Sequence, residues 1–335
     1  MIGNLVRFGR RQLHTVVSRE IIKPSSPTPS HLKTHNLSLI DQVNANLFMP
    51  MVTFYPNTGI CRDKTTLDLK NSLSQTLTKY YPFAGRHAKV APSYVDCNDN
   101  GAEFLVASIE CGGLAVAWSL SHKVADGSSL FHFMKDWAKM NRFLSTEPKH
   151  EFSNDPKFIH FEYMNINSRG LDLEISDDCV TRSFMFPSSK IKELKQKVKA
   201  MTTESGKPIT NPTRVENECE MNPESFISEL RNQKTQFQAI RNIETAMGIF
   251  SEWDLEELLR KFTGLYICSS LCGNSAYEID FGWGKPVKAT HAGDLRKNSF
   301  ILMDAPNGDG IEALVCLGNQ DMAIVQNDPE LLAFG

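Results

Sequence analysis

Apolar positions change their period several times along this chain. From Thr66 onward, Leu69, Leu73, Leu77 and Tyr80 follow one another at spacings of four, four and three, the stripe of an amphipathic helix that Tyr81-Pro82 brings to an end. Leu114 to Leu120 is an almost unbroken apolar run bounded by Gly112-Gly113. It is too short for most helices and predicts a strand buried on both faces. The period then turns helical: Leu130, Phe131, Met134, Trp137 and Ala138 share one face of residues 128–140, with Ser128 at the expected N-cap. Ile191, Leu194, Val198 and Met201 mark a further helix over residues 188–201.

The segments between these elements carry turn chemistry. Pro24 to Ser30 is punctuated by proline, cannot be helical, and leads into an expected strand around His35 to Leu39. A polar loop is expected from Thr202 to about Cys219, and Asn222-Pro223-Glu224 reads as a helix start, with the helix running past Ile240. Phe300 to Met303 and Ile311 to Leu317 are strand-like runs around Asp304 to Gly310, which predicts a hairpin. Strands and helices mix throughout, so the expected class is α/β or α+β. At 335 residues, two domains are expected rather than one core.

Composition removes several alternatives. With 41% hydrophobic and 22% charged residues, the chain is ordinary for a soluble globular protein. A net charge of -3 gives no footprint for nucleic acid or for an anionic membrane surface. The eight cysteines show no C-x-x-C pair and no zinc-ligand spacing, so they read as reduced thiols in a cytoplasmic protein and no metal is expected. No apolar window is long enough for a membrane span. Arg7, Arg10, Arg11 and Arg19 precede the first acid, Glu20, as in some organellar presequences, so residues 1–19 are either such a presequence or a plain extension.

Chemistry concentrates at His122-Lys123-Val124-Ala125-Asp126-Gly127, just past the apolar run and before the helix. The end of a strand is where α/β sheets commonly present ligand-facing groups. An imidazole there can take a proton from an alcohol or amine and release it, because it titrates near neutrality. The bland alternative is a strand-end histidine satisfied by backbone. Asp126 either orients the imidazole or pairs with an arginine and holds the turn, and the structural role is favoured. Gly127 permits a sharp turn. Ser128 is explained as a cap, since the chain has no G-x-S-x-G elbow. Asp280-Phe281-Gly282-Trp283-Gly284 is the second unusual run: its glycines permit positive φ, and Trp283 can anchor a core or line a pocket. No G-x-G-x-x-G or P-loop is present, so nucleotide mechanisms lack support.

His122-x-x-x-Asp126-Gly127 and Asp280 to Gly284, in this order, resemble the two signature motifs of the plant BAHD acyl-CoA-dependent acyltransferases. The likeness extends over Ile22 to Ser25, Leu37 to Gln42, Leu69 to Ser74, Tyr81 to Arg86, Asp96 to Asn98 and Gly310 to Ala313. Within the family it runs to the alkaloid-modifying branch that contains vinorine synthase. The resemblance implies two chloramphenicol-acetyltransferase-like domains with an active-site channel between them, here expected over residues 21–180 and 181–335 after an extension over residues 1–20. It implies that His122 is the general base and that acyl-CoA is a co-substrate, with no bound cofactor. The acceptor would be a small-molecule alcohol or amine and the protein a monomer. Asp126 would point away and pair with an arginine, and Asp280 to Gly284 would have a structural or CoA-side role.

The chain departs from the family's pattern in two places. Between Ser108 and Cys111 it passes almost at once into the motif strand, where relatives have a long segment with another core strand. After Thr213 to Glu216 it continues to Glu218 to Met221, where relatives carry a buried helix and the strand bearing the arginine partner of the motif aspartate. On this reading Asp126 lacks its partner and would stand as an uncompensated carboxylate. An abbreviated gene model, a splice form or a decaying paralogue each accounts for the losses, and a non-catalytic remnant is the rival to an active acyltransferase.

Overall fold

The computed structural model describes residues 14–38, 41, 42, 44, 47–57, 59, 62–88, 93–109, 113–145, 156, 158, 178–200 and 266–334. The chain divides into two compact units, Met1–Glu174 with Gly273–Asp294, and Ile175–Cys272 with Leu295–Gly335. The first crossing falls between Glu174 and Ile175. The second domain is not one continuous stretch, however, because Gly273–Asp294 returns to the first unit and brings Asp280 to Gly284 with it.

The reason for that return is a strand pairing. In the first unit β1 (His14–Ile22), β2 (Thr34–Asn36), β3 (Phe48–Tyr55), β4 (Arg86–Ala88), β5 (Tyr94–Asp96), β6 (Ala102–Ile109) and β7 (Leu114–Ser121) precede β10 (Lys288–His291). β10 pairs antiparallel with β3, Lys288 opposite Phe54 and His291 opposite Met51. β3 pairs antiparallel with β7, Phe48 opposite Ser121 and Tyr55 opposite Leu114, which gives the order β10-β3-β7. Among the described residues the unit's other strands form a two-stranded sheet, β1-β6, and a three-stranded sheet of short strands, β2-β5-β4.

Helices α1 (Arg62–Lys79) and α2 (Gly127–Ser145) pack together in this unit. The expected stripe of α1 is its buried face, with Leu69, Leu73 and Leu77 each under a tenth exposed, and Leu130, Phe131, Met134, Trp137 and Ala138 are all buried on α2. Trp118 of β7 meets Phe131 of α2 edge to face at 6.5 Å. Two sequence expectations are corrected. β7 is a strand but is not buried on both faces: Val116 and Trp118 are buried while Ala117, which points to the opposite face, is exposed. Residues 14–20 do not belong to an extension either. They form β1, which pairs with β6 and adds an Arg19–Glu103 ion pair at 2.9 Å.

The second unit holds β8 (Val180–Phe186), α3 (Ser188–Ala200), β9 (Ile267–Ser270), β11 (Ser299–Asp304), β12 (Ile311–Leu317), α4 (Asn319–Val325) and α5 (Pro329–Phe334). Its sheet runs β8-β12-β11-β9, with only β11 and β9 parallel. β11 and β12 form the hairpin expected around Asp304 to Gly310. β12 is central and every residue of it is buried; Ile311, Val315 and Leu317 join Leu302 and Met322 in one core with Ile191 of α3 at its margin. The expected loop from Thr202 and the helix from Asn222 lie outside the described residues. Among the described residues, no helix is long and apolar enough to cross a membrane.

Candidate functional site

His122 follows β7 directly. Its N–H donates to Leu47 O at 2.9 Å, which continues the β3–β7 ladder one step beyond Ser121 and Phe48. Ser121 O then accepts from both Val124 N and Ala125 N, so the chain folds into a tight turn before α2 begins at Gly127. The His122 carbonyl accepts from Asn44 Nδ2 at 3.4 Å. The side chain is half-buried, and Nδ1 is fully buried with no hydrogen-bond partner among the described residues. Backbone bonds therefore fix where the residue stands, and the bland reading of a histidine side chain satisfied by backbone does not describe the ring.

Asp126 is exposed, and its Oδ1 accepts from Ser129 N at 2.7 Å. That amide is the third of α2, so Asp126 is the N-cap. This corrects the assignment of Ser128 as the cap; Ser128 is an exposed residue of the first turn. It also removes the expected penalty of an uncompensated buried carboxylate, since the group is solvated and pairs with no arginine among the described residues. Nor does the capping bond aim the carboxylate at the imidazole. Gly127 is simply the first helical residue, with no positive φ, so no sharp turn depends on it.

The second run is woven into the first unit. Asp280 Oδ1 accepts from Gly282 N at 2.7 Å and Gly284 N at 3.0 Å, closing a turn in which Gly282 and Gly284 take φ of 110° and 102°. A side chain at either glycine would strain that turn. Asp280 Oδ2 lies 3.7 Å from Arg142 Nη1 of α2. Phe281 is buried, meets Trp137 edge to face at 5.1 Å, and stacks on Trp283 at 5.3 Å. Its carbonyl accepts from Asn141 Nδ2 at 2.7 Å, and Asn141 Oδ1 accepts from Ser72 Oγ at 2.9 Å, so the run is tied through α2 to α1. Tyr55 of β3 donates to Ile279 O at 2.8 Å; burial pushes its phenol well above the ordinary range, which keeps it a donor. None of these bonds reaches His122.

Lys123 is the residue that sequence reasoning passed over. It is buried, and its Nζ donates to Gln42 O at 2.9 Å and Asn44 O at 2.8 Å. A lysine inside the motif was the only signal, and its acceptors are main-chain atoms of a distant segment. Among the described residues no group of three or more His, Cys, Asp or Glu is arranged to hold a metal.

The chain thus has two mixed α/β units, with a half-buried histidine held just past a sheet strand of the first. The solved structure of vinorine synthase matches with a TM-score of 0.76 at 25% identity, covering 96% of this chain and 98% of that one. F. sporotrichioides TRI101 complexed with coenzyme A and T-2 shares the fold at 13% identity and a TM-score of 0.56, covering 90% of this chain and 98% of that one. The Transferase family model matches residues 14–110, 106–242 and 220–332, and the chain belongs to this family, the BAHD acyltransferases. Akuammiline synthase 1 of Alstonia scholaris is 31% identical over 419 residues, covering 95% of this chain and 97% of the relative. Deacetylvindoline O-acetyltransferase of Catharanthus roseus is 29% identical over 444 residues, covering 95% and 97%.

Both alignments are longer than the 335 residues of this chain, so each relative carries residues with no counterpart here. The family match also comes in three pieces. They meet at residues 106–110 and 220–242, at or beside the two places where the sequence departs from the family's pattern.

Proposed function

We propose that the chain transfers an acyl group, acetyl in the first instance, from acyl-CoA to a hydroxyl or amine of a plant specialised metabolite. His122 is the general base. The observation that carries this is the placement of His122: its backbone is fixed by the strand ladder, its Nδ1 is buried, and the ring is only half-buried. That leaves Nε2 to take the acceptor's proton, so the base form carries its own proton on Nδ1. The deprotonated acceptor attacks the thioester carbonyl, the tetrahedral adduct expels CoA thiolate, and the imidazolium returns the proton to that sulfur. Alkaloid-modifying names among the relatives support the metabolite class, and the coenzyme A of the TRI101 complex supports the donor.

A second reading is favoured by the three-piece family match and by Asp126, which caps a helix with no arginine beside it among the described residues. On that reading the chain is a family remnant that binds a ligand without turnover. The test is to assay this chain beside a version with family segments restored between Ser108 and Cys111 and between Glu216 and Met221. Acetyl-CoA and a panel of alcohols and amines are the substrates, with a transcript read across both joins. Turnover by the unrestored chain upholds the acyltransferase reading. CoA binding without turnover, with activity gained on restoration, upholds the remnant.

A further inference from the structure

The turn that carries His122 holds a second ionisable group, and the motif alone gives it no role. Lys123 is only 6% exposed. Its ammonium closes two main-chain carbonyls, Gln42 O and Asn44 O, and Asn44 in turn donates from Nδ2 to His122 O. His122 N meanwhile donates to Leu47 O. The stretch from Gln42 to Leu47 is therefore fastened to the histidine turn at both of its ends.

That stretch is anchored on its far side as well. Gln42 Nε2 donates to Leu37 O at 3.0 Å and Gln42 N donates to Ser38 O at 3.0 Å. Ser38 N donates to Asp41 Oδ2 at 3.2 Å, and Asp41 N donates back to Ser38 Oγ at 3.2 Å, a reciprocal pair of the capping-box kind. An ammonium is costly to bury, and burial holds Lys123 below the ordinary lysine range while the charge of Asp41 opposes that shift. An apolar side chain would fill the same space without the cost. What the ammonium adds is the closure of the two carbonyls.

We propose that Lys123 is a positioning residue for His122: by clamping the Gln42 and Asn44 carbonyls it fixes the backbone from which the imidazole projects. It touches no reacting atom and acts only through the histidine. The catalytic part of this inference rests on the reading of His122 as base, since a base must be held close to its productive geometry to be effective.

The test uses the full chain and two variants, Lys123→Met and Asn44→Ala. Diethyl pyrocarbonate is the probe, and peptide mass mapping follows the modification rates of His122 and of exposed His132, on the far side of the α2 cap. The expected result is a His122 rate changed by about threefold or more, the factor that roughly one net hydrogen bond is worth, with the His132 rate unchanged. With acetyl-CoA, kcat falls while KM for the donor holds. An unchanged His122 rate, or equal changes at both histidines, overturns the proposal. If Lys123→Met fails to fold, Lys123→Gln, too short to close both carbonyls, is judged by the same criteria, and Asn44→Ala, which leaves Lys123 and both carbonyls in place, reports the neighbouring Asn44–His122 bond. A wild-type chain without turnover sinks the general-base reading alone, and the two modification rates still decide the clamp.

Discussion

Around His122 the chain leaves the ring Nδ1 without a partner among the described residues and a capping carboxylate exposed, whereas around Asp280 it ties its groups off. His122 has its backbone fixed on Leu47 and Asn44 but keeps a buried Nδ1 without a partner among the described residues, and Asp126 is solvated. In the second run one carboxylate oxygen closes two amides, the Phe281 carbonyl meets Asn141, and the Phe281 ring is sealed against Trp137 and Trp283. Polar groups left unsatisfied in a folded chain need an explanation, and chemistry is one. Fully engaged groups are explained by stability alone. Within the second run only Trp283 Nε1 departs from this pattern, buried without a partner among the described residues.

Substitution at the two motifs should therefore separate activity from stability. His122→Ala removes the proposed base and no large buried volume, so turnover should fall by roughly 10² to 10⁴ while the thermal midpoint stays close to that of the parent. Comparable turnover in the variant would break the comparison at its first term. Phe281→Ala should do the converse, costing about 3 to 5 kcal/mol in denaturant unfolding because it empties a site lined by rings. Asn141→Ala should follow at about 1 to 3 kcal/mol, since it strands the buried Phe281 carbonyl, while the Ser72 hydroxyl keeps Leu69 O and Trp137 Nε1. Should either variant unfold at the parent's denaturant midpoint, the second motif would not be the fastening described here.

What the sequence could reveal followed from how local each cause is. The α1 stripe and the β11–β12 hairpin were legible because period and turn chemistry lie within one short segment. The burial of β7 was not, because an apolar run reports the strand and says nothing of whether a packed layer covers each of its faces. β12, with a similar run, is buried throughout. The return of Asp280 to Gly284 to the first unit depends on β10 finding β3 from the other end of the chain, which no local pattern encodes. The family resemblance located His122 and both departures. It did not foresee that Asp126, exposed, would take up capping, a role for which Ser128 was the nearer-looking candidate.

That capping role sets the smallest expected effect. Had Asp126 been buried against a missing arginine, Asp126→Asn would have relieved a penalty of several kcal/mol, on the order of 3 to 5. With Oδ1 on the Ser129 amide and the residue exposed, asparagine can accept the same bond, and only the attraction of a full charge to the helix N-terminus is lost. Asp126→Asn should therefore change unfolding stability by less than about 1 kcal/mol, in the destabilising direction, and Asp126→Ala by about 1 kcal/mol as the cap disappears. Turnover relative to the parent should hold in Asp126→Asn, because the capping bond does not reach the imidazole. Denaturant unfolding of the three proteins ranks them directly. A clear gain in stability for Asp126→Asn would show that the carboxylate is strained after all, and a loss of turnover without loss of stability would make Asp126 the orienting partner of His122.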